Sequence, residues 1–237
     1  MTTQPTSHIL HNIPTLCRGS RSLLRNWLVR NPIDSLGFCI PTIIVGCGVY
    51  GFTMGLWRSG IMAAYVGIKF PLVIFSTLII NGAINGMLAM VLGSGISFRQ
   101  SFQFLLAGFA LMSIILLSLS PITLFVILHA AGPEQPEAHL MHNIILLCHT
   151  SMIAYAGIAS HRSLLAQVRD FATTPAHGTR TFFAWLAGNL FVGAQVSWVM
   201  RPFFGSPDLE IQFLRDDPLN GSFYDSVWKS VTNLIGF

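Results

Sequence analysis

The sequence predicts an all-α polytopic membrane protein, a bundle of five transmembrane helices with an amphipathic helix at each end. Composition is the first indication: 52% of the 237 residues are hydrophobic and 9% are charged, whereas charged residues make up roughly 25% of a typical soluble domain. The mean hydropathy of +0.63 agrees with this. A chain with so few charges cannot cover a surface that faces water, so the composition indicates a membrane protein.

The second indication is the distribution of the apolar residues, which form five runs long enough to cross a bilayer as helices of about 20 residues. The polar and charged residues gather before, between and after these runs. This pattern predicts three regions: an N-terminal segment over 1–34, a five-span transmembrane domain over 35–204 and an acidic tail over 205–237.

The N-terminal segment is predicted to contain a short basic amphipathic helix that begins near Ser20. Leucines recur at helical spacing around Trp27, and four arginines alternate with them: Arg18, Arg21, Arg25 and Arg30. Such helices are typical of the membrane interface, where anionic headgroups attract the basic side chains. We therefore interpret Trp27 as an interface anchor. The alternative is a solvated helix that packs on a partner.

The first span is predicted over 35–57. It contains the small-residue pair Gly51 and Gly55, one helical turn apart, which allows two helix backbones to approach closely. We expect this pair to pack against another helix of the same chain.

The segment over 60–70 is apolar but too short to cross a membrane. It either extends the second span or forms an interfacial piece that is broken at Pro71. Lys69, next to that proline, is predicted to snorkel to the headgroups as an interface anchor. A buried functional lysine is the alternative.

The second span is predicted over 71–93, with Asn81 and Asn85 one helical turn apart at its centre. Amides inside a membrane form interhelical hydrogen bonds that contribute about 0.6 to 2 kcal/mol each. We favour this packing role, because no ionisable group accompanies the two asparagines. A polar lining for a solute or ion path is the alternative.

The third span, over 102–128, is predicted to kink at Pro121, and the fourth follows over 139–160. In the fourth span His142 and His149 lie two turns apart and share a face. Histidines at this spacing can ligate two haems, but that arrangement needs matching histidines in another span, and no other span has one at its apolar centre. Hydrogen-bonded packing histidines are therefore the favoured interpretation.

A polar loop is predicted over 161–181, followed by a fifth span that stops at Pro202. Asn189 and Gln195 lie within this span, and they are expected to face protein or water because polar groups are costly in lipid. Trp198 and Arg201 at its end are interpreted as interface anchors.

The tail begins with an acidic stretch and ends in an amphipathic helix. Ser222 and Asp225 form a capping-box-like start for this helix. Its broad apolar face cannot stay in water, so it must lie on the bilayer, on the bundle or on another subunit. Phe223 and Trp228 are the predicted partner-binding residues.

The positive-inside rule predicts the orientation. With five spans and a cytoplasmic N-terminus, eight of the thirteen basic residues lie inside: Arg18, Arg21, Arg25, Arg30, Arg99, Arg162, Arg169 and Arg180. The sequence therefore predicts a multi-pass protein of a bacterial inner membrane, with the N-terminus in the cytoplasm and the C-terminus outside.

The motifs of several large enzyme classes are absent. The sequence contains no GxSxG, GxxxxGK[ST], HExxH or CxxC motif, and its few carboxylates lie outside the predicted spans. We therefore predict no catalytic residues, no cofactor and no metal site. The basic residues form no separate domain, which argues against nucleic-acid binding. The four cysteines are expected to be free thiols.

Two stretches resemble known families. The sequence GSGISFRQSF over Gly93–Phe102, which leads into a span with an internal proline, resembles the Yip1-domain membrane proteins; this likeness covers about 35–160 and implies five helices with a cytosolic N-terminus. The sequence QVSWVMRPFFGSP over Gln195–Pro207 is similar to the end of a group of bacterial polytopic proteins with no established activity. These resemblances imply a fold more than a function.

The sequence predicts a non-catalytic membrane subunit or scaffold of a larger complex, with membrane lipids and other membrane subunits as its partners. The alternative is a small channel or transporter with a polar path between the second, fourth and fifth helices. That path would be lined by Asn81, Asn85, His142, His149, Asn189 and Gln195. A redox subunit that uses His142 and His149 is a third interpretation.

Overall fold

The computed structural model describes Pro14, Leu16, Cys17, Asn26, Trp27 and residues 32–235. These residues form helices and no strand, which confirms the predicted all-α class. The six helices of the main described range are α1 (Pro32–Gly55), α2 (Gly60–Val91), α3 (Phe98–His129), α4 (Ala138–Phe171), α5 (Pro175–Val199) and α6 (Phe223–Ile235).

Helices α1 to α5 are each long and apolar enough to cross a membrane, so the chain is a multi-pass membrane protein. The loops between them are short, and successive helices therefore run in opposite directions. Trp57 Nε1 donates to the Ala131 carbonyl at 2.9 Å and joins the α1–α2 and α3–α4 loops. We call this the tail end, because the residues after α5 lie there. At the opposite end, Thr173 N donates to the Ser94 carbonyl at 2.8 Å.

The structure settles how the chain continues at Pro71 and Pro121, and it overturns one predicted loop. Helix α2 continues through Pro71, so the segment over 60–70 extends the second span. Helix α3 also continues through Pro121, and the Ser118 and Ser120 hydroxyls donate to the Ile115 and Leu116 carbonyls. The predicted polar loop over 161–181 is wrong, because α4 extends to Phe171 and α5 begins at Pro175.

The helical ends of α4 and α5 explain that error. At 34 residues, α4 is about 50 Å long at a rise of ~1.5 Å per residue, which exceeds the ~30 Å hydrocarbon core. Polar residues near its end therefore need not leave the helix to reach water. Arg169 Nε donates to Thr179 Oγ1 at 2.8 Å, and Thr174 caps α5 by accepting from His177 N.

The N-terminal amphipathic helix predicted from Ser20 falls mostly on residues outside the described range. Trp27 is described, and the structure corrects its predicted role as an interface anchor. Its ring is buried against Phe38, with centroids 5.6 Å apart. Its carbonyl accepts a 3.0 Å hydrogen bond from Gln103 Nε2. Trp27 is therefore part of the protein core, because α1 and α3 supply both an apolar surface and a polar partner.

Helix α1 packs closely on α2, as the glycine pair predicts. A Cβ at Gly51 would lie 2.6 Å from the Val66 carbonyl oxygen, and one at Gly55 would lie 2.6 Å from that of Met62. Gly46 faces α3 in the same manner, 2.5 Å from the Ser113 carbonyl oxygen. These three positions place α1 in direct backbone contact with two neighbours.

Replacing Gly51 by valine should destabilise the bundle, because the added side chain meets backbone that cannot rotate away. We expect the free energy of unfolding to fall by about 1–3 kcal/mol, the usual cost of overpacking, in an SDS titration of the purified protein. Gly37→Val is the matched control: it lies on the same helix, and its Cβ meets nothing within 4 Å. Equal stability of the two variants would contradict the close α1–α2 contact.

Candidate functional site: a cavity between α2, α4 and α5

A cavity of about 450 Å³ lies between α2, α4 and α5. Small-molecule sites in proteins typically measure roughly 300–1,000 Å³, so the space is large enough for a ligand. Part of the chain after α5, around Pro202–Gly205, covers it at the tail end, and α6 contributes Phe223 and Val227 to its wall.

The cavity is long and narrow. His142 and His161 both line it, and they lie nineteen residues apart on α4, about 28 Å at a rise of ~1.5 Å per residue. A volume of 450 Å³ spread over this length leaves a thin cross-section. Most of the wall is apolar, with side chains such as Ile74, Leu146 and Leu190.

A chain of hydrogen bonds closes the deep end of the cavity. Asn85 Nδ2 donates to Asn189 Oδ1 at 3.2 Å, and Asn189 Nδ2 lies 3.0 Å from His161 Nε2. His161 Nδ1 is 2.8 Å from the Gly157 carbonyl. A carbonyl only accepts, so Nδ1 carries the proton and Nε2 accepts from Asn189. Trp185 Nε1 adds a 2.8 Å hydrogen bond to the Asn85 carbonyl.

This chain of hydrogen bonds also separates two spaces. A much smaller pocket of about 10 Å³ lies beyond it, lined by Asn85, Phe104, Trp185 and other side chains. His161 and Asn189 line both the cavity and the small pocket. The cavity is therefore closed at this depth by hydrogen-bonded polar groups, of which only Asn85 Oδ1 has no hydrogen-bond partner within the described residues.

The structure brings only some of the six predicted path residues together. His142 and Asn189 line the cavity, and Asn85 lies behind Asn189. The other three are not part of its wall: Asn81, His149 and Gln195. A continuous polar path through all six is not formed in this conformation, and the channel interpretation stays a prediction.

His149 and Asn81 have different surroundings. His149 is 2% exposed, and its Nδ1 lies 2.8 Å from the Tyr50 hydroxyl, which agrees with a hydrogen-bonded packing histidine. Asn81 is fully buried, and neither polar atom of its side chain has a hydrogen-bond partner within the described part of the chain.

Lys69 does not snorkel to the headgroups, so that prediction is wrong. Its side chain is 0% exposed, and Nζ donates to the Pro202 carbonyl at 2.7 Å. The same nitrogen lies 5.5 Å and 5.0 Å from the ring centroids of Phe203 and Phe213. The residues after α5 fold over this part of α2 and replace the water or headgroups that a near-terminal lysine would otherwise reach.

Trp198 and Arg201 hold the tail against the end of α5. The Arg201 guanidinium stacks on the Trp198 ring at 4.1 Å and donates to the carbonyls of Asp217 and Pro218, each at 2.8 Å. Trp198 Nε1 donates to the Asn220 carbonyl at 3.1 Å. Both residues therefore have a role that the sequence did not predict, and their role as membrane anchors stays a prediction.

Helix α6 begins as predicted, since Asp225 N donates to Ser222 Oγ at 3.2 Å and that hydroxyl donates to the Asp225 carboxylate at 2.7 Å. It packs on α4 and α5. Phe223 is half-buried and lines the cavity, and its predicted role in partner binding stays a prediction. Trp228 points outward and is 69% exposed.

Sequence reasoning missed His161, which it placed at the start of a loop. The signal was present: Leu164, Leu165 and Val168 continue the helical spacing of apolar residues past Ser160. Among the described residues, no three His, Cys, Asp or Glu side chains are grouped so that they could hold a metal ion. The described cysteines are free thiols.

Asn189→Leu should destabilise the protein, because it leaves Asn85 Nδ2 and His161 Nε2 buried without partners. We expect a loss of about 1–3 kcal/mol in the free energy of unfolding, measured by SDS titration. Gln195→Leu on the same helix is the control, since Gln195 is half-buried and makes no hydrogen bond within residues 32–235. If both variants lose equal stability, the hydrogen-bonded chain does not hold α2, α4 and α5 together.

No family model, curated protein or solved structure matches this chain. The likenesses to the Yip1-domain proteins and to the bacterial group with the same C-terminal stretch therefore stay predictions. Function must be argued from the cavity and the residues around it.

Proposed function

We propose that the protein is a non-catalytic membrane protein that holds one acyl chain of a lipid-like molecule in the cavity between α2, α4 and α5. The observation that supports this most directly is the shape of the cavity: narrow, about 28 Å long by helical rise, and largely apolar. An acyl chain fits such a space, whereas a compact solute would leave most of it unfilled.

The polar groups of the cavity favour the binding of a ligand over the catalysis of a reaction. At the deep end, Asn85, Asn189 and His161 are engaged with one another and with the Gly157 carbonyl. The Ser160 hydroxyl lies 3.3 Å from His161 Nδ1 and donates to the Gly157 carbonyl, but Nδ1 carries a proton and cannot accept one from it. No carboxylate of the described residues forms an ion pair with His161. Apolar side chains line the wall along its length, and such an environment stabilises a hydrocarbon chain.

The predicted location and orientation are part of this proposal. We place the protein in a bacterial inner membrane with the tail end outside, following the distribution of lysine and arginine. The cavity begins at the tail end, beneath the residues that follow α5, and stops partway along the bundle. In this orientation it is suited to a molecule from the outer leaflet.

Filling the cavity should abolish lipid binding. Gly157 lines the cavity, and a Cβ there meets nothing within 4 Å, so the side chain of Gly157→Phe starts in open space at the cavity wall. We expect wild-type protein in mild detergent to bind one oleoyl lysolipid, with a phosphoglycerol or a phosphocholine head, in native mass spectrometry. Gly157→Phe should weaken this binding at least about tenfold.

The control is Gly188→Phe, which also enters open space but lies outside the cavity wall. It should bind lysolipid as the wild type does. Binding by Gly157→Phe at wild-type strength, or no binding of either lysolipid by the wild type, would contradict the proposed function.

A role as subunit of a larger membrane assembly is the second candidate, and the outward face of α6 favours it. Trp228 is 69% exposed and Tyr224 is 48% exposed. Tryptophan and tyrosine are enriched in interface cores and also at membrane–water boundaries. A second membrane protein seated on α6 would cover both rings.

Protein purified in mild detergent from its own membrane tests the second candidate. We expect identified membrane proteins at fixed stoichiometry in native mass spectrometry, and we expect Trp228→Ser to remove them. Lys229→Ser, at the next and equally exposed position of the helix, should retain them. A lone monodisperse monomer would contradict the subunit role and leave the proposal for lipid binding unaffected.

A further inference from the structure

Among the described residues, the wall of the cavity contains two arginines at its tail end, Arg201 and Arg215, and no aspartate or glutamate. The hydrogen bonds and stacking of Arg201 described above engage it with the tail, and Asp217 lies 3.7 Å from its guanidinium. Arg215 differs, because it forms no ion pair with a carboxylate within the described residues. Its Nη1 donates to the Glu210 carbonyl and to Gln212 Oε1, and its other nitrogens make no hydrogen bond there.

A second cation lies directly behind this part of the wall. Lys69 is held by the carbonyl of Pro202, a residue that lines the cavity, and its Nζ lies 5.0 Å from the ring centroid of Phe213, two residues before Arg215. No carboxylate of residues 32–235 forms an ion pair with Lys69. An anion at this end of the cavity would therefore be attracted by two cations, Arg215 in the wall and Lys69 behind it.

The acidic residues of the tail do not cancel this effect. Asp208, Glu210 and Asp216 are exposed on the outer side of the segment, where water and salt screen them over about 8–10 Å. None of them lines the cavity. Screening is weaker inside the wall, so a ligand in the cavity is more sensitive to Arg215 than to the exposed carboxylates.

We infer that the tail end of the cavity selects an anionic head group, with Arg215 as the side chain that binds it. The ligand is then a lipid whose acyl chain fills the apolar part and whose phosphate or carboxylate lies at Arg215. This inference rests on the proposed function and adds the class of head group to it. Guanidinium suits both oxyanions, because its planar array of N–H groups forms paired hydrogen bonds with them.

Two lysolipids with the same oleoyl chain separate the head group from the chain. Lysophosphatidylglycerol carries a net negative charge, and lysophosphatidylcholine carries none. We expect the wild type to bind the anionic lysolipid about tenfold more tightly, because both heads carry a phosphate and only the phosphocholine head adds a cation that Arg215 and Lys69 repel. Arg215→Gln should reduce this preference to about twofold or less, and it should weaken the binding of lysophosphatidylglycerol more than that of lysophosphatidylcholine.

Two further variants control for charge and position. Arg215→Lys keeps the charge and should keep most of the preference. Arg180→Gln, exposed at the opposite end of the bundle, should leave both affinities unchanged. Inorganic phosphate alone should bind at least about tenfold more weakly than the anionic lysolipid, since it lacks the buried chain.

The outcomes distinguish the two proposals. Equal binding of both lysolipids by the wild type, blocked by Gly157→Phe, would overturn the head-group inference while the proposed function stands. A preference that persists in Arg215→Gln would overturn the assignment to Arg215. Phosphate that binds as tightly as the lysolipid, and equally in Gly157→Phe, would show an anion site that is independent of a lipid. Binding of neither lysolipid would contradict the proposed function itself.

Discussion

Hydrogen bonds between buried polar side chains hold α2, α4 and α5 together, and the arrangement of these helices depends on them. Lipid offers no hydrogen bonds, so an unpaired amide or imidazole in hydrocarbon costs several kcal/mol. The chain from Asn85 through Asn189 and His161 to the Gly157 carbonyl meets this need. It takes one link from α2, one from α5 and two from α4, and therefore fixes how these helices face one another.

The cavity follows from an unequal distribution of close contacts. Glycines let α1 approach α2 and α3 to backbone distance, so that side of the bundle is tightly packed. Helix α5 has no comparable contact along the cavity: a Cβ at Gly193 would lie 3.8 Å from Thr77, an ordinary separation. The hydrogen-bonded chain joins α5 to α2 and α4 at one depth. Between that depth and the tail end, an apolar space remains between the helices, and this space is the proposed lipid site.

Three basic side chains meet the residues after α5, and each of the three has a different role. Lys69 is buried beneath Pro202 and Phe203. Arg201 binds the backbone of the tail, while Arg215 lines the cavity without a carboxylate partner. The first two cations stabilise the segment that covers the cavity. The third is available to a ligand, which is why we assign head-group selection to Arg215.

The sequence by itself determined the properties that depend on length, composition and local spacing. Five spans, the start of α6 at Ser222 and the packing of Gly51 and Gly55 all follow from such patterns and are found in the structure. The sequence also indicated that Asn85 and Asn189 face protein. It did not determine which apolar faces meet lipid, protein or a cavity, because lipid is as apolar as leucine and the same side chains suit all three surroundings. Only the tertiary structure decided that Lys69 is buried, that His161 completes the hydrogen-bonded chain and that Phe223 lines the cavity. The surroundings of each of these residues come from a segment that is distant in sequence and folds against it.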